Sequence, residues 1–196
     1  MFARFLIHGI ACLALTSLAL ADEMALPDGH GYMLIRVLVN PRERVAMLSM
    51  MNVDTEVAVA MNLDSFKPAG SNAWMALVAI PPGRYFWSMY EPSYGLGSSE
   101  ARSLRANFRR SASGSADDTF EIAANAVNYV GDWRMRIEST GRRRPQPDIE
   151  YDASTLQRFV AEYPGLAGKY EIYLSAMGKA AMSLQELAKI LEAEEE

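Results

Sequence analysis

Cysteine and histidine are nearly absent from this sequence. The chain of 196 residues contains one cysteine, Cys12, and two histidines, His8 and His30. Cys12 and His8 lie within residues 1–21, which have the pattern of a removable leader. A chain that loses this leader has no disulfide, no thiol nucleophile and no cysteine-based metal site. Any mechanism that needs an imidazole would then rest on His30 alone.

Catalytic motifs and excess positive charge are also missing. The sequence has no glycine-rich phosphate loop and no HExxH or GxSxG motif, so we predict no cofactor and do not favour an enzyme. The formal net charge is −5, and loss of Arg4 with the leader would bring it to about −6. Nucleic acid binding rewards clustered positive charge. We therefore do not expect a nucleic acid partner.

Residues 1–21 have the three zones of a secretion signal. Arg4 supplies a positive start, Phe5–Leu20 is almost continuously apolar, and Ala19-Leu20-Ala21 places small residues where a signal peptidase cleaves. We expect a mature chain that starts at Asp22 and has no transmembrane span. The expected location is the periplasm of a Gram-negative bacterium after Sec export, and secretion is the alternative.

A lipid anchor is a second interpretation of the leader. Ile10-Ala11-Cys12 resembles a lipoprotein cleavage site, at which the cysteine would carry the lipid. Gly9 stands where a large apolar residue is expected, and cleavage there would leave an apolar start to the mature chain. These two features favour cleavage after Ala21, with a lipidated Cys12 as the open alternative.

Short apolar and β-branched segments separated by turn signals dominate residues 31–139. Such a succession predicts an antiparallel β-sandwich, immunoglobulin-like or prealbumin-like. Two of the segments, residues 45–53 and 56–63, are expected to form a hairpin. The predicted strands span residues 31–40, 45–53, 56–63, 73–80, 84–91, 104–110, 119–123, 127–130 and 134–139.

The hydrophobic period changes to that of helices near the C-terminus. Asp152 is placed to cap a helix from Ala153 to about Tyr163, and Ser183–Glu186 fits the capping box of a final helix. Residues 168–178 fit either a strand or a helix. The mainly β domain would thus carry a C-terminal helical appendage.

The polar, proline-containing segment Gly141–Pro147 is the best candidate boundary in the chain. The predicted organisation after the leader is a β-sandwich over residues 22–140, a linker over residues 141–147 and a helical region over residues 148–196. We expect this helical region to pack on the sandwich.

Two short motifs carry a resemblance to known proteins. Pro81-Pro82-Gly83-Arg84-Tyr85 is followed later by Tyr129-Val130-Gly131. Together they resemble uncharacterised families of exported bacterial β-sandwich domains, periplasmic or lipoprotein-like, with a PPGxY turn and a later YxG strand. The resemblance covers residues 31–139, and Asn125 stands where those proteins usually carry glycine. It implies that the turn sets a hairpin and that the tyrosine packs a strand, and it implies no catalytic residues.

Methionines in the predicted hairpin could bind a soft metal. Met47, Met50, Met51 and Met61 lie close in sequence, and thioether sulfur is a ligand for Cu(I). Methionine also fills irregular gaps in cores, and no histidine or cysteine stands nearby. We favour the core interpretation, with a methionine-based copper-binding protein as a minor alternative.

Three carboxylates, Asp148, Glu150 and Asp152, alternate along the chain. On an extended segment they would share one face, where they could hold a cation or supply the acid and base of a glycan hydrolase. The competing interpretation is a solvated strand edge beside Arg142–Arg144 that ends in a helix cap. We favour the latter, because Ca²⁺ needs six or more oxygen ligands.

An aromatic segment offers a candidate binding surface. Tyr85, Trp87, Tyr90 and Tyr94 run into a loop rich in glycine and serine, and such residues are common at recognition surfaces. Aromatic residues on strands are more often packed inside. The favoured function is a non-catalytic envelope protein that binds a protein or glycan partner. The oligomeric state is not predicted.

Overall fold

The fold is mainly β with short helices towards the C-terminus, as the sequence predicts. This computed structural model describes residues 25–38, 44–62, 67–69, 73–93, 102–103, 118–136 and 146–187. The predicted leader and its Cys12 alternative lie outside these ranges. The described strands are β1 Gly31–Leu38, β2 Arg44–Asn52, β3 Ala58–Asn62, β4 Lys67–Pro68, β5 Ala73–Ile80, β6 Gly83–Ser93, β7 Arg102–Ser103, β8 Phe120–Ile122, β9 Ala126–Arg136, β10 Gln146–Glu150, β11 Glu171–Leu174 and β12 Met182–Ser183.

Two helices, α1 Ala153–Glu162 and α2 Pro164–Lys169, lie between β10 and β11. Asp152 is the N-cap of α1, and its carboxylate accepts a hydrogen bond from the Ser154 backbone N–H, so the predicted cap is confirmed. A further helical turn occupies residues 184–187. Ser183 and Glu186 exchange side-chain to backbone hydrogen bonds there, which confirms the predicted capping box.

The strands form two sheets. The seven-stranded sheet has the order β12-β11-β9-β1-β5-β4, with β10 also paired to β9, and the five-stranded sheet has the order β3-β2-β6-β7, with β8 paired to β6. The predicted hairpin is confirmed as the antiparallel pair β2–β3. In the larger sheet, however, β1–β9 and β9–β11 are parallel pairs. This sheet is therefore mixed rather than antiparallel throughout. Each parallel pair joins strands that are distant in sequence, since parallel neighbours need a crossover connection.

Two apolar cores divide the molecule into three layers. Side chains from both sheets form the first core, among them Ile35, Leu48, Trp87 and Trp133. The other face of the larger sheet packs against α1 and α2 in a second core, which includes Leu34, Tyr129 and Phe159. Strand β1 lies in the middle and contributes alternate residues to both cores, which explains its nearly continuous apolar sequence.

The Pro81–Gly83 turn passes the chain from one sheet to the other. Strand β5 pairs with β1 and β4, whereas β6 pairs with β2, β7 and β8. The expected hairpin at this turn is therefore wrong, although the chain does turn there. The Tyr85 hydroxyl donates to the Pro81 carbonyl oxygen at 2.7 Å and holds the turn, and Gly83 has a φ of 140°.

The C-terminal region completes the larger sheet as well as covering it. Gln146 and Pro147, which the sequence assigns to a linker, already belong to β10 and pair with the second half of β9. The ambiguous segment 168–178 contains β11, which pairs with the first half of β9. Two strands of the predicted helical region, β10 and β11, thus belong to the larger sheet. They pair with the side of β9 that does not pair with β1.

Candidate functional site

Strand β9 changes partners at Gly131. Its first half, Ala126–Tyr129, runs parallel to β11, and its second half, Asp132–Arg136, runs antiparallel to β10. The register against β1 shifts at the same point, because Leu34 pairs with Tyr129 but Arg36 pairs with Asp132. One residue of β1 thus faces two of β9, which is a β-bulge.

Glycine at position 131 permits this junction. Gly131 has a φ of 100°, in the region that favours glycine. A Cβ atom there would lie 2.6 Å from Cγ2 of Ile149 and 3.0 Å from the carbonyl oxygen of Glu150. The close passage of β10 over β9 therefore requires the absence of a side chain.

The bulge places a carboxylate under the helical layer. The Asp132 side chain is only 2% exposed, and its Oδ2 lies 3.1 Å from a terminal guanidinium nitrogen, Nη1, of Arg36. Most other residues of the two strands that carry Arg36 and Asp132 are apolar and buried. An opposite charge at this distance offsets part of the cost of burying the carboxylate.

Two hydroxyl groups complete the environment of Asp132. The Tyr129 hydroxyl donates to Oδ1 at 2.8 Å, and the Thr155 hydroxyl lies 2.9 Å from Oδ1 and 3.1 Å from Oδ2. Thr155 is in the first turn of α1 and is buried. The carboxylate of β9 is thereby bonded to β1 and to the helix that covers the sheet.

The same network reaches the cap of α1. The backbone N–H of Asp152 donates to the Tyr129 hydroxyl oxygen at 3.0 Å. The Asp152 carboxylate lies 3.7 Å from the Arg36 guanidinium group. We call Arg36, Tyr129, Asp132, Asp152 and Thr155 the Asp132 cluster.

Burial is the main influence on the pKa values of the two central groups, Asp132 and Tyr129. It raises the pKa of the Asp132 carboxyl above its ordinary value of 3.8, while the hydrogen bonds from Tyr129 and Thr155 and the charge of Arg36 act in the opposite direction. Burial also raises the pKa of Tyr129 well above 10.0, so its hydroxyl keeps its proton. At the solvated end, the hydrogen bond from Ser154, followed by the charge of Arg36, lowers the pKa of Asp152.

Asp132 can have a structural role, and its position is unsuited to that of a reacting group. Each of its two oxygens accepts hydrogen bonds from neighbouring side chains, and almost none of its surface is exposed. A general acid or base needs to reach the proton of a substrate. This carboxylate instead fixes three elements, β1, β9 and α1, relative to one another.

The three sequence-predicted carboxylates do not converge on one site. Glu150 makes an ion pair with Arg134 at 2.8 Å, and Asp152 caps α1 and faces Arg36. Asp148 lies in β10 in register with Arg134. Within the described residues, no group of three His, Cys, Asp or Glu side chains is placed to hold a metal ion. The segment thus follows the strand-edge and helix-cap interpretation, with Arg134 and Arg36 as the charged neighbours.

The predicted aromatic binding surface is wrong for two of its four residues. Tyr85 is 1% exposed and Trp87 is fully buried, and both pack with Phe120 in the core between the sheets. Side chains alternate along β6, and these two point towards the larger sheet, which covers that face. Tyr94 and the side chain of Tyr90 lie outside the described residues.

The four methionines are divided between two faces. Met50 and Met61 are buried in the core between the sheets, as the core interpretation predicts. Met47 and Met51 point to the opposite face of β2, because side chains alternate along a strand. The hairpin therefore does not gather these thioethers into one set of ligands.

Sequence reasoning missed most of the Asp132 cluster. The sequence patterns predict a packing role for Tyr129 and no role for Arg36, Asp132 or Thr155. The usable signal was a pair of opposite charges in otherwise apolar strands, Arg36 in β1 and Asp132 just after Gly131. Buried charges are rare unless they are paired, so each one predicts a partner.

Comparisons with known proteins leave the family open. No protein-family model matches the chain, and no curated protein matches it significantly. Among solved structures, it is similar to a leucine-rich repeat protein from Bacteroides thetaiotaomicron, with 13% identity and a TM-score of 0.36 over 56% of this chain and 14% of the other. In the described part of the chain, no helix has the length and apolar character needed to span a membrane.

Proposed function

We propose that this chain is a non-catalytic binding protein of the bacterial cell envelope, exported to the periplasm or secreted, with a protein or an envelope component such as a glycan as its partner. The secretion pattern of residues 1–21 supports the export. The scarcity of histidine and the lack of cysteine after the leader support a binding role over catalysis.

One structural observation carries the non-catalytic part of this proposal. Asp132 is the buried carboxylate at the junction of β1, β9 and α1, and its oxygens are occupied by Tyr129, Thr155 and Arg36. Glu150 and Asp152, the neighbouring acids, face arginines. Acids held in this way support a rigid scaffold on which a binding surface can be presented.

Export is tested by expressing the full chain in a Gram-negative host and determining the mass of the purified product. The expected protein fractionates with the periplasm or medium and begins at Asp22. A product that begins at Cys12 and carries a lipid would replace the soluble form by an anchored one. A product that retains Met1 in the cytoplasm would contradict the export.

Partner binding is tested by capture from an envelope extract with the tagged, processed protein. We expect an envelope protein or glycan to be retained equally by the unaltered chain and by the variant Glu150→Gln, whose substituted residue is exposed. The competing function is glycan hydrolysis by the carboxylates near β10. Release of sugars from envelope glycan that Glu150→Gln abolishes would overturn the non-catalytic proposal.

A further inference from the structure

The segment before β1 contains a chemically reactive pair of residues. Asp28-Gly29 is the one place in the sequence where an aspartate or asparagine precedes a glycine. At such a pair the backbone nitrogen of the glycine can attack the side-chain carboxyl of the aspartate, because glycine has no side chain to hinder the approach. The product is a five-membered succinimide ring, which water then opens.

The structure presents this pair on an exposed turn. The backbone N–H of His30 donates to the Pro27 carbonyl oxygen at 3.0 Å, which closes the turn, and Gly29 has a φ of 72°. Asp28 and Gly29 are exposed, and a Cβ atom on Gly29 would meet nothing within 4 Å. Among the described residues, none accepts a hydrogen bond from the Gly29 N–H. The attacking nitrogen is therefore open to the Asp28 carboxyl.

His30, the one histidine outside the predicted leader, lies beside the reacting peptide group. Its Nδ1 is 3.1 Å from the Asp28 carbonyl oxygen, and Nδ1 carries the hydrogen of this bond because a carbonyl oxygen can only accept. The hydrogen bond polarises the peptide group and makes the Gly29 N–H more acidic. When water adds to the Asp28 carbonyl carbon, negative charge develops on the oxygen to which Nδ1 donates. His30 thus favours both ring formation and opening of the ring at the backbone carbonyl.

We infer that Asp28 is a site of spontaneous conversion to isoaspartate, assisted by His30. In the first step the Gly29 nitrogen forms a bond to Cγ of Asp28, and the carboxyl loses its hydroxyl, which leaves as water with the proton of the N–H. In the second step water adds to the Asp28 backbone carbonyl carbon, and the bond from that carbon to the Gly29 nitrogen breaks. The chain then continues through Cγ, and the former backbone carbonyl becomes a free carboxylate.

The conversion changes the chain between two points that the fold holds. Leu26 packs against the second core, and the His30 carbonyl oxygen accepts a hydrogen bond from the Asn125 backbone N–H at 2.8 Å. An isoaspartate adds one carbon to the backbone between these points and alters the spacing on which the turn depends. We expect the modified protein to lose the packing of Leu26.

Ageing of the purified protein in water labelled with ¹⁸O tests the reaction. Each opening of the ring adds one labelled oxygen, mass spectrometry of the peptides locates it, and electron-transfer fragments distinguish isoaspartate from aspartate. We expect label at Asp28, with isoaspartate as the major product. Asp54 is the internal control, because its side chain is 61% exposed but the following Thr55 N–H donates to Oδ1 of Asn52 at 2.9 Å. Asp54 should take up no label.

Two substitutions test the parts of the mechanism separately. Asp28→Glu would have to form a six-membered ring and should abolish labelling at this position. His30→Phe keeps a planar ring without the donor, so it should slow the formation of isoaspartate about two- to tenfold, the effect of one hydrogen bond. The ratio of isoaspartate to aspartate should fall with it.

Thermal melting of the two variants checks that each one folds. A lack of label at Asp28 in the unaltered protein would overturn the inference, as would equal labelling at Asp54. An unchanged rate and product ratio in His30→Phe would overturn the assistance by His30.

Discussion

The hydroxyl of Tyr129 lies 2.8 Å from Oδ1 of Asp132 and donates a hydrogen bond to it across the bulge in β9. The same hydroxyl oxygen accepts a hydrogen bond from the backbone of Asp152, at the start of α1. A single phenol thus joins the bulged strand to the cap of the helix above it.

Removing only the hydroxyl should weaken the Asp132 cluster. The variant Tyr129→Phe keeps the buried ring and its edge-to-face contact with Tyr151 but leaves Asp132 and the Asp152 N–H without one partner each. We expect a loss of about 1.5–3 kcal/mol in the free energy of unfolding, typical of a hydrogen bond to a charged group. Urea unfolding measures it.

Tyr173→Phe is the control for this change. Its hydroxyl bonds Glu171 at the surface, so the loss should be less than about 0.5 kcal/mol. Equal losses in the two variants would mean that the buried network does not stabilise the fold.

The stability contributed by Asp132 should depend on pH in a defined direction. Burial raises the pKa of this carboxyl above 3.8, so the folded protein binds the proton more tightly than the unfolded chain. The contribution of the group to stability is then fully present below pH 3.8 and is lost as the pH rises through the raised pKa.

The variant Asp132→Asn cannot titrate at this position and provides the comparison. The difference in unfolding free energy between wild type and Asp132→Asn should shift in favour of the wild type as the pH falls from neutral towards 3.8. Urea curves of both proteins at a series of pH values measure this difference. A shift in favour of the variant would mean that the charge of Arg36 outweighs burial.

The aromatic residues of β6 should behave as core. Trp87 is fully buried between the sheets and packs on Phe120, so Trp87→Ala should cost about 3–5 kcal/mol of stability. The exposed Val57 is the comparison, and Val57→Ala should change stability by less than about 0.5 kcal/mol. Thermal or urea unfolding of both variants measures these two changes in stability. A small effect at Trp87 would return this residue to the candidate binding surface.

Local patterns predicted the local structure well. Apolar segments gave most of the strands, the hairpin of β2 and β3 was found from its two runs, and the caps of the helices were found from Asp152, Ser183 and Glu186. These features depend on residues a few positions apart, whose preferences act within one element. The mainly β class followed from their number and spacing.

The arrangement of these elements was harder to predict because it depends on distant pairs. Residues 127–130 and 134–139 read as two strands, since Gly131-Asp132 looks like a break. In the structure β9 continues through this point as a bulge and changes neighbours there. The partner of Asp132 is Arg36, 96 residues earlier. No local pattern connects two such positions.

Gly131 stands at a point where the backbone conformation and the close passage of β10 require glycine. Gly131→Ala would place a Cβ atom 2.6 Å from Ile149 on a residue with a φ of 100°. A left-handed backbone alone costs about 1–3 kcal/mol for other residues, and the contact with β10 adds to this. Because the backbone of Glu150 is 3.0 Å away, a side-chain rotation cannot relieve the clash. We expect β10 to separate from β9 or the protein to unfold.

Gly168→Ala is the matched control. Gly168 lies in α2, and a Cβ atom there would meet nothing within 4 Å. Alanine favours helices over glycine by about 1 kcal/mol, so this variant should be neutral or slightly more stable. Unfolding curves, with hydrogen exchange of the β10 amides, separate the two substitutions. If both alanines were tolerated equally, β10 would not pass over β9 as closely as the junction requires, and the position of Asp132 beneath α1 would lose its explanation.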